Sequence, residues 1–206
     1  MDNNIKTNIK VIIFDLGKVI VDFDHMRICK ILSKQSPFEP DNIYDIIFAS
    51  GFEASFDKGL ISPENFYLSV KKEARLEINI NFFQEIWTKI FTLNPGIEDL
   101  LSSLKNRYGL LCLSNTNSWH FEYCLQKFHA LKLFDGFILS YEVGKTKPDI
   151  AIFEEALKKA ATLPDECLYI DDVPEFVETA NKLGINGIHF RTVKKLKKEL
   201  SDLNII

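Results

Sequence analysis

Five short apolar runs, at residues 10–14, 110–113, 137–139, 168–170 and 187–190, stand out from a chain otherwise patterned at helical spacing. Runs this short and continuously apolar predict strands buried on both faces of a sheet. Just before and between the last four runs the apolar positions recur with helical periodicity. Ile97, Leu100, Leu101 and Leu104 form one stripe, with Asn94 as its expected N-cap, Pro95 at the first helical position and Gly109 closing it. A second stripe runs from Pro148 through Phe153, Ala156, Leu157 and Ala160, and a third from Pro174 through Val177, Ala180 and Leu183 to Gly184. Strands alternating with helices predict an α/β fold with a doubly wound parallel sheet.

Residues 21–92 break this rhythm. They carry helical clusters such as Phe82, Phe83, Ile86, Ile90 and Phe91, and a helix start at Ser62-Pro63-Glu64, but no convincing buried strand. A block that leaves the sheet after its first strand and returns before its second predicts an inserted helical cap at 21–92 on a core of residues 1–20 and 93–206. Such a cap would sit over the carboxyl ends of the strands, where open α/β sheets bind ligands.

The 206 residues, 46% hydrophobic and 26% charged with 9 Gly and 7 Pro, suit one globular core with an appendage and are too apolar for a disordered chain. A net charge of −4 provides no global positive field, so neither nucleic acid nor an anionic membrane is an expected partner. The basic run at 194–198 reads as the solvated face of the last helix. No stretch approaches the roughly 18 apolar residues of a membrane span, and the polar start from Met1 to Lys10 lacks the pattern of a secretory leader. Cys29, Cys112, Cys124 and Cys167 contain no C-x-x-C pair and read as reduced, mostly buried thiols, which places the protein in the cytoplasm.

The candidate chemistry lies where the strands end. Asp15 directly follows the apolar first strand, an expensive place for a carboxylate unless something compensates it. The fourth strand ends in Ile170-Asp171-Asp172, beside the first in a doubly wound sheet. Three carboxylates at neighbouring strand ends require a cation, and hard oxygen donors select magnesium over softer metals. Leu113-Ser114-Asn115-Thr116-Asn117 places a hydroxyl and amides on the same rim, suited to phosphate oxygens. Lys147, before Pro148 at an expected helix start, joins an ammonium to a helix N-terminus, and both favour a dianion.

Together these strand ends resemble the four motifs of the haloacid dehalogenase superfamily, whose members are mostly magnesium-dependent phosphatases, with the insertion in the place of its C1 cap. The resemblance is nearest to the subfamily of glucose-1-phosphate phosphatases and the phosphatase domain of soluble epoxide hydrolases. It rests on Phe14-Asp15-Leu16-Gly17-Lys18-Val19-Ile20-Val21-Asp22, on Leu113-Ser114-Asn115-Thr116-Asn117 with His120, on Lys145-Thr146-Lys147-Pro148-Asp149 with Ile152-Phe153, and on Ile170-Asp171-Asp172. The cap segment Asp57-Lys58-Gly59-Leu60-Ile61-Ser62 also resembles that subfamily's pattern.

The resemblance implies hydrolysis of a small phosphorylated metabolite, a sugar phosphate among the options. Asp15 would attack phosphorus to form an aspartyl-phosphate. Magnesium would be held by Asp15, the Gly17 carbonyl and Asp172, with Asp171 assisting. Ser114 and the Asn115 backbone would grip phosphoryl oxygens, while Lys147 neutralises nucleophile and transferring group. His120 reads as structural.

One position departs from most of the superfamily. The residue two after the nucleophile, usually a second Asp serving as general acid and base, is Gly17. Such catalysis is typically worth about 10²- to 10⁴-fold, or roughly 3 to 5 kcal/mol of barrier. Without it the rate is expected to depend steeply on leaving-group pKa, unless Asp22 or Asp24 supplies the proton. Two other readings remain open: a phosphometabolite-binding regulator that has lost turnover, and a haloacid dehalogenase, which needs no metal and so leaves Asp171-Asp172 unexplained. Phe52, Phe56 and the expected loop at 49–57 are the candidates for leaving-group selection.

Overall fold

A computed structural model describes residues 8–206, so the polar start falls largely outside it, at residues 1–7. The chain enters through β1 (Val11–Phe14) and leaves the sheet through β2 (Val21–Asp22). It then forms α1 (His25–Leu32), α2 (Pro40–Tyr44), a π-helical segment (Asp45–Ala49), α3 (Phe52–Asp57), α4 (Pro63–Glu73) and α5 (Ile80–Thr88). It returns through β3 (Thr92–Leu93) and continues with α6 (Ile97–Lys105), β4 (Gly109–Ser114), α7 (Ser118–Lys127), β5 (Gly136–Leu139) and α8 (Ser140–Val143). The last third holds α9 (Ile150–Ala160), β6 (Cys167–Asp171), α10 (Pro174–Lys182), β7 (Asn186–His189) and α11 (Val193–Asp202).

Five of the strands make one parallel sheet in the order β5-β4-β1-β6-β7. Its strands are buried on both faces for a simple reason of alternation. Ile12, Phe14, Leu110, Cys112, Leu168 and Ile170 face one apolar cluster, which α6, α7 and α11 close with Leu100, Leu104, Cys124, Leu196 and Leu200. Their neighbours Val11, Ile13, Leu111, Leu113 and Tyr169 face a second cluster, closed by Ile152, Phe153 and Ala156 of α9 and Ala180 of α10. Each Ile, Leu or Phe so buried stabilises the fold by about 1.5–3 kcal/mol relative to exposure. The register pairs Phe14 with Cys112 on one side and Ile170 on the other, which brings Asp15 level with the ends of β4 and β6.

Three local expectations differ from what is observed, one of them Gly109, which opens β4 after α6 has ended at Lys105. Helix α6 starts at Ile97 behind Gly96, not behind Asn94. The Asn94 amide instead donates to the carbonyls of Lys18 and Val19 at 2.7 and 2.9 Å, two peptide acceptors in place of one cap. The stretch expected to lack strands is also bounded by one short antiparallel ribbon of β2 with β3. Two-residue strands are too short to show any alternation.

The helices between β2 and β3 share their apolar interior with the sheet's first cluster. Phe66 and Trp87 pack at 4.7 Å between ring centroids, and Phe83 meets Trp119 of α7 at 6.2 Å. Ser62 caps α4 by accepting the Asn65 N–H, with Pro63 as the first helical residue, as its spacing predicts. The insertion also touches the sheet side through backbone at Gly59, which has φ +66 and would place a Cβ 2.2 Å from the Tyr141 carbonyl oxygen. Gly59→Ala is therefore expected to cost about 2–3 kcal/mol from the left-handed backbone and the clash, lowering the Tm by roughly 4–10 °C. An unchanged melting curve by circular dichroism would show that the turn after α3 and Tyr141 of α8 do not meet this closely.

All four cysteines are buried and free. Among the described residues, no helix is long and apolar enough to cross a membrane.

Candidate active site

Carboxylates converge at the centre of the sheet's carboxyl edge. Asp15 follows β1, Asp171 ends β6 and Asp172 comes next, and one oxygen from each lies within 4.8 Å of the others. Lys147 reaches the same point from the loop after α8. Its Nζ donates to Asp15 Oδ1 and Asp171 Oδ2, both at 2.7 Å, and to the Leu113 carbonyl at 3.2 Å. The helix expected to begin at Pro148 begins at Ile150, capped by Asp149, so the Lys147 ammonium belongs to the buried cluster and not to a helix N-terminus. Asn115 holds the lysine's backbone from both sides, accepting the Lys147 N–H at 2.8 Å and donating to the Lys147 carbonyl at 3.0 Å.

The carboxylates differ in how fully they are engaged. Asp171 Oδ2 also accepts from the Tyr169 hydroxyl, and Oδ1 accepts the Val173 N–H at 2.8 Å. Asp172 is only partly buried. Burial is the largest influence on Asp15 and pushes its pKa up to about 7 against the pull of Lys147, with Asp171 adding to the rise. Asp172 is raised for the same two reasons, desolvation first and then Asp171. Burial disfavours the ammonium of Lys147, but Asp15 and Asp171 outweigh it and hold its pKa above the ordinary range. The site therefore carries more negative charge than its lysine offsets, and its donors are hard oxygens, the set that suits a small divalent cation.

Ser114, the last residue of β4, is buried on the rim beside Asn115. Gly17 lies in the tight turn after β1, where its carbonyl accepts the Val19 N–H at 2.6 Å. A Cβ at position 17 would stand 3.0 Å from the Phe23 ring, so Phe23 fills the space a side chain there would need. Neither downstream aspartate compensates. Asp22 is exposed and bound to Lys18 at 2.6 Å and to the Phe23 N–H, and Asp24 caps α1 through the Met26 N–H.

A cavity of about 70 Å³ lies over this rim, bounded by Gly17, Ser114 and Asn115 on the sheet side and by Glu53 and Asp57 of α3 on the other. The segment expected to be a loop at 49–57 is the end of the π-helical segment followed by α3. Phe56 turns into the core against Phe66, at 4.7 Å between centroids, and Phe52 is half-buried. Neither phenylalanine borders the cavity; the carboxylates one helical turn apart do.

Asn117 fixes this arrangement. Fully buried, it accepts the His120 N–H to cap α7 and the Trp87 indole N–H, and it donates to Asp57 Oδ1 at 2.8 Å. It also donates to His120 Nδ1 at 3.2 Å, while His120 Nε2 donates to the Trp87 carbonyl. Burial holds the pKa of His120 down at about 3, so the ring is neutral. His120 thus ties α7 to the insertion, in keeping with its structural reading. Read from the chain, Asn117 is one of the rim amides suited to phosphate oxygens and Glu53 one residue of the 49–57 candidate segment; the structure instead commits Asn117 to Asp57, Trp87 and His120 and sets Glu53 at the cavity. A signal for Glu53 was present, because Glu53 and Asp57 are like charges at i and i+4, which destabilise a helix unless the pair has another use.

The sequence from residue 12 to residue 190 matches the haloacid dehalogenase-like hydrolase model, and the chain belongs to that family. It is 27% identical over 200 residues to a D-ribitol-5-phosphate phosphatase of Bacteroides thetaiotaomicron, covering 94% of this chain and 97% of that protein. It is also 27% identical to a sesquiterpene phosphatase of Aspergillus oryzae, over 89% of this chain and 90% of the other. A crystal structure of a HAD family enzyme from Bacteroides thetaiotaomicron, in complex with magnesium and inorganic phosphate, is similar with a TM-score of 0.81. The identity there is 26%, over 90% of this chain and 96% of that one.

Proposed function

We propose that this protein is a magnesium-dependent phosphatase that hydrolyses a small phosphorylated metabolite through an aspartyl-phosphate on Asp15. The observation that carries the reading is the buried Asp15–Lys147–Asp171 cluster beside the partly buried Asp172. Relatives with phosphatase activities over nearly the whole chain support it. The cavity's small volume favours a compact phosphoryl end. Four free, buried cysteines fit a reducing compartment, the cytoplasm.

In this reading the free oxygen of Asp15 attacks phosphorus while Lys147 offsets the charge of the nucleophile and the phosphoryl group. Ser114 and the Asn115 backbone hold nonbridging oxygens. Asp15, the Gly17 carbonyl and Asp172 would bind magnesium, with Asp171 acting mainly through Lys147 because its oxygens already accept three hydrogen bonds. When bound, the ion neutralises phosphoryl charge and fixes the in-line approach. A dehalogenase would leave Asp172 without a task.

Magnesium-dependent release of phosphate from p-nitrophenyl phosphate tests the activity, and its absence would favour a binding protein. The metal assignment has its own readout. Magnesium at about 100 times its Kd is expected to stabilise the fold by about 2.7 kcal/mol, raising the Tm by roughly 5–10 °C. In Asp172→Ala that shift should vanish at the same magnesium concentration, and an unchanged shift would remove Asp172 from the site.

A further inference from the structure

We propose that Glu53, paired with Asp57 on α3, is the general acid that protonates the departing oxygen in place of the carboxylate absent at Gly17. The inference rests on the phosphatase reading above and deepens it. Both side chains border the cavity that Gly17, Ser114 and Asn115 border from the sheet side. In the phosphatase reading Ser114 and the Asn115 backbone hold the phosphoryl group at the edge of that space, and the departing oxygen leaves into it. The position usually held by an acid is closed by Phe23, whose ring would meet a Cβ there at 3.0 Å. Asp22 and Asp24 are committed to Lys18 and to the α1 cap.

The pair is built to keep a proton. Asp57 is anchored by the Asn117 amide at 2.8 Å, and Asp57 hydrogen-bonds Glu53 one turn before it. Burial lifts both carboxyls above their ordinary range; the Glu53 charge and the hydrogen bond between them lift Asp57 further while that hydrogen bond pulls Glu53 back, so the pair shares one proton between its two carboxyls. Other titratable groups nearby do not compete. His25 of α1 and His120 of α7 border the same cavity, with pKa values held down by burial to about 4 and about 3, so both are neutral at pH 7. Tyr141 on α8, beside α3, keeps its proton because burial raises its pKa. From α4, Phe66 packs against α3 through Phe56.

The step balances without any further reactant. As the Asp15 oxygen bonds to phosphorus and the bond from phosphorus to the leaving oxygen breaks, the pair gives its shared proton through Glu53 to that oxygen and is left as two carboxylates. In the second transfer a water bonds to phosphorus, the bond to Asp15 breaks, and the water's proton returns to Glu53. Asp57 is the positioning residue, since its hydrogen bond to Glu53 holds the pair's shared proton beside the cavity.

Single-turnover rates with magnesium across a series of aryl and alkyl phosphates test this. The wild type should show a shallow dependence of rate on leaving-group pKa. Glu53→Gln should make it steep, with a loss of about 10²- to 10⁴-fold for alkyl phosphates and only a few-fold for 2,4-dinitrophenyl phosphate. With an alkyl phosphate the wild-type rate should fall at alkaline pH as the pair loses its proton. Glu53→Gln should abolish that limb, and Asp57→Asn should move it to lower pH, because an amide can still donate to Glu53 but cannot hold the pair's proton. A steep dependence in the wild type overturns the proposal without any variant. A Glu53→Gln loss equal for all leaving groups overturns it too. If the wild type cleaves none of these esters, or Asp15→Asn cleaves them as fast, the phosphatase reading fails and takes the inference with it.

Discussion

Asp15→Asn is expected to abolish turnover, lowering the magnesium-dependent hydrolysis of p-nitrophenyl phosphate by at least about 10⁴-fold, while leaving the protein folded. An amide oxygen has nearly the carboxylate's shape and still accepts the Lys147 hydrogen bond, but it is far too weak a nucleophile to displace an alkoxide. The fold should tolerate the change because Lys147 retains Asp171 Oδ2 at 2.7 Å and the Leu113 carbonyl at 3.2 Å. Replacing a carboxyl whose pKa burial lifts to about 7 also removes a charge the site holds at a cost. The Tm should therefore fall by no more than a few degrees. Activity above one tenth of wild type, with the substitution verified by mass, would take the nucleophile's role from Asp15.

The parts of this site that can be read from the chain are those whose chemistry contradicts their local surroundings. A carboxylate at the end of Val11-Ile12-Ile13-Phe14, and a pair of them after Leu168-Tyr169-Ile170, stand where an apolar strand would otherwise end in a neutral turn. The sheet itself is legible because strands covered on both faces need no polar alternation, and β1, β4 and β6 have none. What escapes is whatever depends on contacts between distant segments. Lys147 reads as a helix-end lysine until Asn115, 32 residues earlier, is seen to grip its peptide and aim its side chain inward. Asn94 reads as a cap until Lys18 and Val19 arrive with two carbonyls.

The insertion illustrates a different failure. Phe52 and Phe56 attract notice as candidates for leaving-group contact because they are large, but burial rewards placing a phenyl ring in the core, so Phe56 packs on Phe66 and Trp119. The carboxylates of the same helix, Glu53 and Asp57, are left for the cavity. Asn117 could not be ranked above its neighbours from sequence, because its value lies in joining Asp57 and Trp87, 60 and 30 residues away, to the start of α7.

Lys147→Met is expected to produce the largest loss of stability of any single change at the site. The lysine side chain is 2% exposed, and its ammonium is the shared counterion of Asp15 and Asp171, which are 10% and 0% exposed at their side chains. Methionine matches the stem's bulk, so the change isolates the charge and leaves no large cavity. Removing one partner from a buried ionic cluster typically costs about 3–5 kcal/mol because the remaining charge stays desolvated and unpaired. For a chain of this length that corresponds to a Tm lower by roughly 6–20 °C in magnesium-free buffer. Tyr169 and the Val173 N–H still donate to Asp171, which keeps the loss from exceeding that range. Magnesium should return part of the lost stability, since it would bring positive charge to the same carboxylates, yet activity should stay low because the phosphoryl group would still lack the ammonium. Thermal denaturation of the variant with and without magnesium measures both effects. A Tm within about 2 °C of wild type in the absence of metal would mean that Lys147 is not the counterion that keeps Asp15 and Asp171 buried.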